Sequence, residues 1–237
     1  MIFCLSQLHT GTWSTIAWLV LHKEVNGLML STDVYDVVDG KRTIPQMQDS
    51  GTYHQKFDPS MVYHEHIRPD HWFEKEMSRT QIVLATTNPT VIPIRDPLLS
   101  LISYQNRAEI HDKVGTSGFM PVEHILDRWV LLAEKFDTLR QYDHIQFLCW
   151  DLLGKNGSDR LWEVTKNLGM NDQSACLVGQ AMMNNSMGDY ALKFDYVKRD
   201  ADAMRDGVDG VHGLMKREKI LRPFMECLGY SDLMWWS

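Results

Sequence analysis

The sequence predicts an α/β fold in three layers, a mainly parallel sheet with helices on both faces, and three observations carry that expectation. Short apolar runs of strand length alternate with longer stretches of helical periodicity along most of the chain. The chain opens on strand, glycine turn and helix, the order of a phosphate-binding α/β unit. Proline, asparagine and N-capping residues stand where one element must stop and the next begin. Strands joined through helices pair in parallel, and a parallel sheet needs cover on both faces.

Ile2-Phe3-Cys4-Leu5 is a continuous apolar run and reads as a buried strand. Ser6 to Gly11 is a polar turn, and Thr12 to Val25 follows as a helix with Ile16, Leu19 and Val20 facing inward. Residues 36–60 are polar and rich in Gly, Asp and Gln, which predicts an irregular insertion. Met61 to His66 is the next strand. Ser78 to Thr87 fits helix or strand, and Ser78 as N-cap with the Asn88-Pro89 stop favours the helix; Thr90 to Ile94 is a strand ending at Arg95. Asp96-Pro97 supplies an N-cap and a proline at the first helical position, opening a helix to about Ala108. Pro121 to Arg140 carries the strongest pattern, with Val122, Ile125, Leu126, Trp129, Ala133 and Phe136 on one face. His144 to Cys149 is a strand, and a helix from about Ser158 closes before Gly169, placed as a C′ glycine. The last third is mostly helical, with residues 195–210 expected as a mobile loop. Without repeats or low-complexity segments, one domain over 1–237 is expected.

Apolar residues at 44% suffice for a sizeable core. A net charge of −7 argues against a general nucleic-acid surface, which needs a basic stripe, yet leaves room for a small anionic ligand held by a few local cations. Cys4, Cys149, Cys176 and Cys227 are scattered and form no CxxC pair; with Cys4 and Cys149 inside apolar runs, buried free thiols of a reducing cytoplasm are expected. No apolar run reaches the roughly 18–20 residues of a membrane span. No basic segment precedes the first apolar stretch, so neither a membrane nor a secretory leader is expected. Oligomeric state is not legible.

Three segments carry chemistry. In Leu8-His9-Thr10-Gly11-Thr12-Trp13-Ser14-Thr15 a glycine lets backbone approach a phosphate, while hydroxyls and helix N-terminal amides supply donors. The Walker A pattern GxxxxGK[ST] is absent, and the bland alternative is a capped helix start. In Ile94-Arg95-Asp96-Pro97 through Ser103-Tyr104 an arginine fork and a hydroxyl eight positions on suit a terminal phosphate. Arg95 paired with a structural acid is the alternative. The third segment is Phe147-Leu148-Cys149-Trp150-Asp151-Leu152-Leu153, at a strand end after the long helix.

In order and spacing these segments resemble the sulfotransferases that use 3′-phosphoadenosine 5′-phosphosulfate (PAPS), whose fold is P-loop-NTPase-like. Leu8-His9-Thr10-Gly11-Thr12-Trp13 resembles their PKSGTTW loop, and Arg95, Pro97 and Ser103 match the spacing of RxPxxxxxS. The third segment resembles their strand ending in Glu-Asp-Leu, with Trp150 in place of the glutamate. The likeness covers roughly residues 1–170. It implies sulfuryl transfer from PAPS to a hydroxyl acceptor, with the nucleotide PAP as product and no metal. It also implies that His9, Thr10, Gly11, Thr12, Trp13 and Ser14 hold the 5′ end of the donor, and Arg95 and Ser103 its 3′-phosphate. Met204-Arg205-Asp206-Gly207-Val208 is similar to the family's C-terminal Arg-Lys-Gly motif, which makes Arg205 a second 3′-phosphate ligand. His9 stands where the family has lysine, a departure that removes the loop's fixed cation; His9 is expected to act as a cation once the nucleotide is bound, and a backbone-bonding role is the alternative. Trp13 falls one position early, so adenine stacking and helix packing both stay open.

On the acceptor side, Val62-Tyr63-His64-Glu65-His66-Ile67-Arg68-Pro69 is similar to the family's Thr-His-Leu-Pro context, which makes His66 the base. Alternation places His64 and His66 on one face of the strand and Glu65 on the other. Glu65 is the rival base; a merely structural histidine pair, and zinc held by His64 and His66 with His71 or His54, are further alternatives. The competing classes are a P-loop-like nucleotide kinase or phosphotransferase and a catalytically weakened nucleotide-binding relative. The partner expected is a small-molecule or carbohydrate hydroxyl acceptor; its identity would reside in the loops 36–60 and 195–210.

Overall fold

The computed structural model describes residues 1–7, 10–26, 28–30, 60–69, 76–113, 121–153, 157–181 and 210–230. In chain order these form β1 (Ile2–Ser6), α1 (Thr12–Leu19), β2 (Leu28–Leu30), β3 (Val62–His66), α2 (Arg79–Thr87), β4 (Thr90–Ile94), α3 (Pro97–Lys113), α4 (Val122–Leu139), β5 (Ile145–Cys149), α5 (Gly157–Asn167), α6 (173–181), α7 (Val211–Lys216) and α8 (Glu218–Cys227). A short 3₁₀ turn, Trp150–Leu152, follows β5 directly.

Every strand pairing is parallel and the order is β2-β3-β1-β4-β5. Period-two alternation divides the strand residues between two cores. Ile2 and Cys4 of β1, Val62 of β3 and Val91 of β4 pack with Ile16, Trp18 and Leu19 of α1 and with Leu161 and Val164 of α5. Phe3 and Leu5, Tyr63, and Ile92 and Ile94 pack on the opposite face with Leu84 of α2, Leu98 and Leu101 of α3, Trp129 and Phe136 of α4 and Phe224 of α8. The sheet is therefore covered on both sides, as its apolar strands require.

Local chemistry explains most boundaries. Ser78 accepts the Gln81 N–H as N-cap of α2, and Asn88 before Pro89 leaves the helix in an extended conformation. Asp96 Oδ1 accepts the Leu98 N–H at 2.7 Å and caps α3, with Pro97 in its first turn. Gly169, at φ 78°, ends α5 in the left-handed turn that favours glycine.

Some expectations are corrected. α1 stops at Leu19 and not near Val25; Val20 is its exposed C-cap, while Trp18, absent from the expected inner face, is fully buried. The edge strand β2 begins only eight residues beyond Val20, so the chain must leave the helix early to reach it. α3 runs on to Lys113. Cys4 and Cys176 are buried, Cys149 is half-buried, Cys227 is exposed, and all four are free thiols. No helix among the described residues is long and apolar enough to cross a membrane. The expectations of an irregular insertion and of a mobile loop fall outside the described residues.

Candidate active site

The strand order itself singles out one place. From β1 the chain moves to the β2–β3 side, and from its neighbour β4 it moves the other way, to β5. Their following helices diverge too, α1 packing on one face and α3 on the other. A crevice opens beyond the carboxyl ends of strands where successive connections part in this way. The segments singled out in the sequence leave the ends of these strands.

The turn after β1 is held by its own side chains. Thr10 and Thr12 both donate their hydroxyl protons to the Gln7 carbonyl, at 2.9 and 3.2 Å. Gly11, at φ 86°, is the N-cap of α1, a conformation that leaves little room for any other residue. Space gives the same restriction: a Cβ on Gly11 would lie 2.8 Å from Cδ1 of Trp150. The Trp150 indole N–H donates to Thr15 Oγ1 at 2.6 Å, and Thr15 Oγ1 donates to the Gly11 carbonyl at 3.0 Å. Trp150 thus braces the glycine turn. Gln7 is fully buried, and among the described residues neither polar atom of its carboxamide has a hydrogen-bond partner.

At the end of β4, Arg95 Nε lies 3.4 Å from Asp151 Oδ1. Asp151 Oδ2 accepts the Asp96 N–H at 2.8 Å and the Tyr230 hydroxyl at 3.4 Å. Burial pushes the Asp151 carboxyl above the usual carboxylate range, and the charge of Arg95 pulls it back. The pairing of Arg95 with an acid, weighed from the sequence as an alternative, is present. Ser103 is half-buried on α3, about 9 Å along the axis from Pro97 at the helical rise per residue.

The third component comes from β3. The register sets Cys4 beside His64 and Ser6 beside His66, so Ser6, His64 and His66 share the α1 side of the sheet. Ser6 Oγ lies 3.0 Å from His64 Nε2 and 3.1 Å from His66 Nδ1. The two imidazoles meet edge to face, with centroids 4.6 Å apart. His64 is buried, which lowers its pKa to about 4, whereas His66 is partly exposed. Gln81 Nε2 donates to the His66 carbonyl at 2.7 Å and Gln81 Oε1 accepts the Arg68 N–H at 3.0 Å, fixing the exit of β3. Glu65 points to the other face and pairs with Arg68 at 3.3 Å.

Ser14 is exposed in α1, and Trp13 belongs to its first turn. The Trp13 side chain, His9, Arg205, His54 and His71 lie outside the described residues. Among the described residues no group of three or more His, Cys, Asp or Glu gathers as a metal site. Sequence reasoning missed Ser6, Gln81 and the role of Trp150. A buried-face serine opposite two histidines was readable only once the β1–β3 register was known. A cavity of about 450 Å³ lies elsewhere, along β5 between Phe136, Arg140, Phe147, Arg160 and Leu228.

Fold and site together define a parallel α/β protein with a braced glycine turn, an arginine–aspartate pair and a serine-linked histidine pair around one switch point. No family model matches the sequence, and no curated protein sequence matches it. Among solved structures the chain is similar to a crystal structure of mouse sulfotransferase SULT7A1 complexed with PAP, at 15% identity and a TM-score of 0.44. The match covers 77% of this chain and 63% of that one, so the chain spans less than two thirds of its length. A likeness at this level assigns neither activity nor ligand.

Proposed function

We propose that the chain is a sulfotransferase that moves a sulfuryl group from PAPS to a hydroxyl of a small-molecule or carbohydrate acceptor, releasing PAP. The observation that carries this reading is convergence. The Gly11 turn, Arg95 and His66 leave three neighbouring parallel strands at the same end of the sheet. The residues present fit an anionic donor. Gln7 holds buried polar atoms without partners among the described residues, and a left-handed glycine opens α1 at its N-terminus, where backbone donors favour anions. The Thr10 and Thr12 hydroxyl protons are committed to the Gln7 carbonyl, so backbone amides carry more of the phosphate binding than the motif alone implied.

PAPS supplies a sulfuryl group already attached to a phosphate that can leave. His66 takes the acceptor's proton as the acceptor oxygen attacks sulfur, since an alcohol is a poor nucleophile until deprotonated. His9 and the loop amides meet the charge left on the bridging oxygen of the departing nucleotide. Arg95, oriented by Asp151 through Nε, reads the 3′-phosphate together with Ser103 and Arg205. Positioning and electrostatics carry most of the rate, as in phosphoryl transfer.

Calorimetry with PAP, AMP and ATP, paired with a transfer assay using labelled PAPS and a panel of phenols, alcohols and sugars, tests the reading. PAP should bind far more tightly than AMP. Arg95→Lys, which keeps a cation for Asp151 but loses the planar fork, should weaken PAP by about 2 kcal/mol or more. His66→Ala should lower turnover roughly 10²–10⁴-fold. Equal affinity for PAP and AMP would sink the nucleotide site. Turnover lost in Glu65→Ala but kept in His66→Ala would move the base to Glu65.

A further inference from the structure

We infer that Ser6 and His64 are positioning residues that hold His66 in the one tautomer able to accept a substrate proton; the inference rests on the reading of His66 as the base. The geometry is a chain of three side chains. Ser6 Oγ lies between His64 Nε2 and His66 Nδ1, at 3.0 and 3.1 Å, and all three groups face the α1 side of the sheet. A serine hydroxyl carries one proton, so it donates to one imidazole and accepts from the other.

Only two arrangements satisfy both bonds with neutral rings. In the first, Ser6 donates to His66 Nδ1, and the His66 proton sits on Nε2. Both nitrogens are then engaged or protonated, and no lone pair remains for a substrate. In the second, Ser6 donates to His64 Nε2, His66 Nδ1–H donates to Ser6, and the His66 lone pair is at Nε2. Only the second serves a base. It also persists through the reaction. The acceptor's O–H bond breaks, its proton lands on His66 Nε2, and the imidazolium keeps its Nδ1–H bond to Ser6. No proton crosses the serine, and no group reorients.

The surroundings meet the requirements of the second arrangement. His64 must remain uncharged to accept from Ser6, and it is the more deeply buried ring. Burial disfavours its charged form, and its folded-state pKa of about 4 keeps it neutral at working pH. The hydroxyl itself is fully buried, which shields the bonds from competing water. Gln81 fixes the His66 backbone at 2.7 Å, so main chain and ring are both held. A third group that orients a catalytic histidine through its inner nitrogen is a general device, and here an uncharged serine–histidine pair fills the place usually taken by a carboxylate.

Nitrogen-15 NMR of the histidine rings at pH 8 tests this without substrate, with His66→Ala and His64→Gln used for assignment. Both His64 and His66 should carry their proton on Nδ1. A His66 protonated on Nε2 overturns the inference. Ser6→Ala should leave His66 as a mixture of tautomers and lower kcat by up to about a hundredfold, with PAP affinity and acceptor KM within about twofold. His64→Leu should behave like Ser6→Ala. His64→Gln, whose amide oxygen reaches close to the position of Nε2, should restore the His66 tautomer and most of kcat. An unchanged tautomer and kcat in Ser6→Ala also overturns it. The two readings fail separately: a wild-type chain that neither binds PAP nor transfers sulfuryl groups defeats the proposed function, while the tautomer measurement still decides the roles of Ser6 and His64.

Discussion

The two faces of the sheet use the same alternation of strand residues and bury different chemistry. Toward α4 and α8 the core is aromatic and aliphatic. Phe136 lies 5.1 Å from Phe224 and 5.0 Å from Phe147, and Trp129 sits 6.5 Å from Phe224. Toward α1 the buried set includes Ser6, His22, His64 and Thr15 beside Trp18 and Trp150. His22 is almost wholly buried, and neither ring nitrogen has a hydrogen-bond partner among the described residues. Each buried unpartnered polar group costs on the order of 1–3 kcal/mol. The α1 face concentrates buried polar side chains where the candidate chemistry stands, whereas the α4 face is mainly apolar packing, with Trp129 Nε1 as a buried donor that has no partner among the described residues. The difference teaches where the molecule can tolerate change. Packing should dominate mutational effects on one side, and hydrogen bonding and protonation on the other.

The strongest test of that division is Trp129→Ala. The ring is fully buried in the aromatic face, and its loss should cost about 3–5 kcal/mol in urea unfolding. The folded fraction should keep its affinity for PAP. A matching loss of PAP affinity would show that the two faces are not separable.

A smaller effect is expected from acid. His64 has a folded-state pKa lowered from 6.5 to about 4 by burial, so between those values the unfolded chain binds the extra proton. Stability is therefore full above about pH 6.5 and is lost as pH falls toward 4, by about 3 kcal/mol for this group. His22 is shifted in the same direction by burial, against the charges of Asp172 and Glu24, and adds to the loss. Urea midpoints at pH 7.5 and 4.5 should converge in His64→Gln relative to the wild type. The same pH dependence in both would remove His64 from the acid sensitivity of this face.

The smallest effect sharpens the role of the brace. Trp150→Phe removes the 2.6 Å bond to Thr15 but keeps most of the ring against Gly11, and should cost about 1 kcal/mol of stability. PAP affinity should fall several-fold, because the glycine turn loses its anchor. Full PAP affinity in this variant would mean that the turn holds its shape without Trp150.

Most of the element order was legible because it rests on local chemistry. The Ser78 cap, the Asn88-Pro89 stop, Asp96-Pro97 and Gly169 each act within a few residues, and each stands where a helix begins or ends. The face of α4 was legible for the same reason, since Ile125, Leu126, Trp129 and Phe136 recur at helical spacing and are buried. The end of α1 was not, because the apolar pattern continues past Leu19 while the chain turns toward β2. Among the candidate site residues, some stood out singly in the sequence, but their partners did not. Arg95 was visible as an arginine after a strand, but its engagement with Asp151 needs β4 and β5 side by side.

By itself, then, the sequence determined the parallel α/β class, the glycine turn that opens α1 and the shared face of His64 and His66, because period and capping are properties of neighbouring residues. Tertiary structure alone decided that Ser6 stands between those histidines, that Trp150 braces Gly11, and that Asp151 orients Arg95. Those contacts span from 56 residues of chain, Arg95 to Asp151, to 135, Thr15 to Trp150, and depend on strand order and register, which no local pattern encodes.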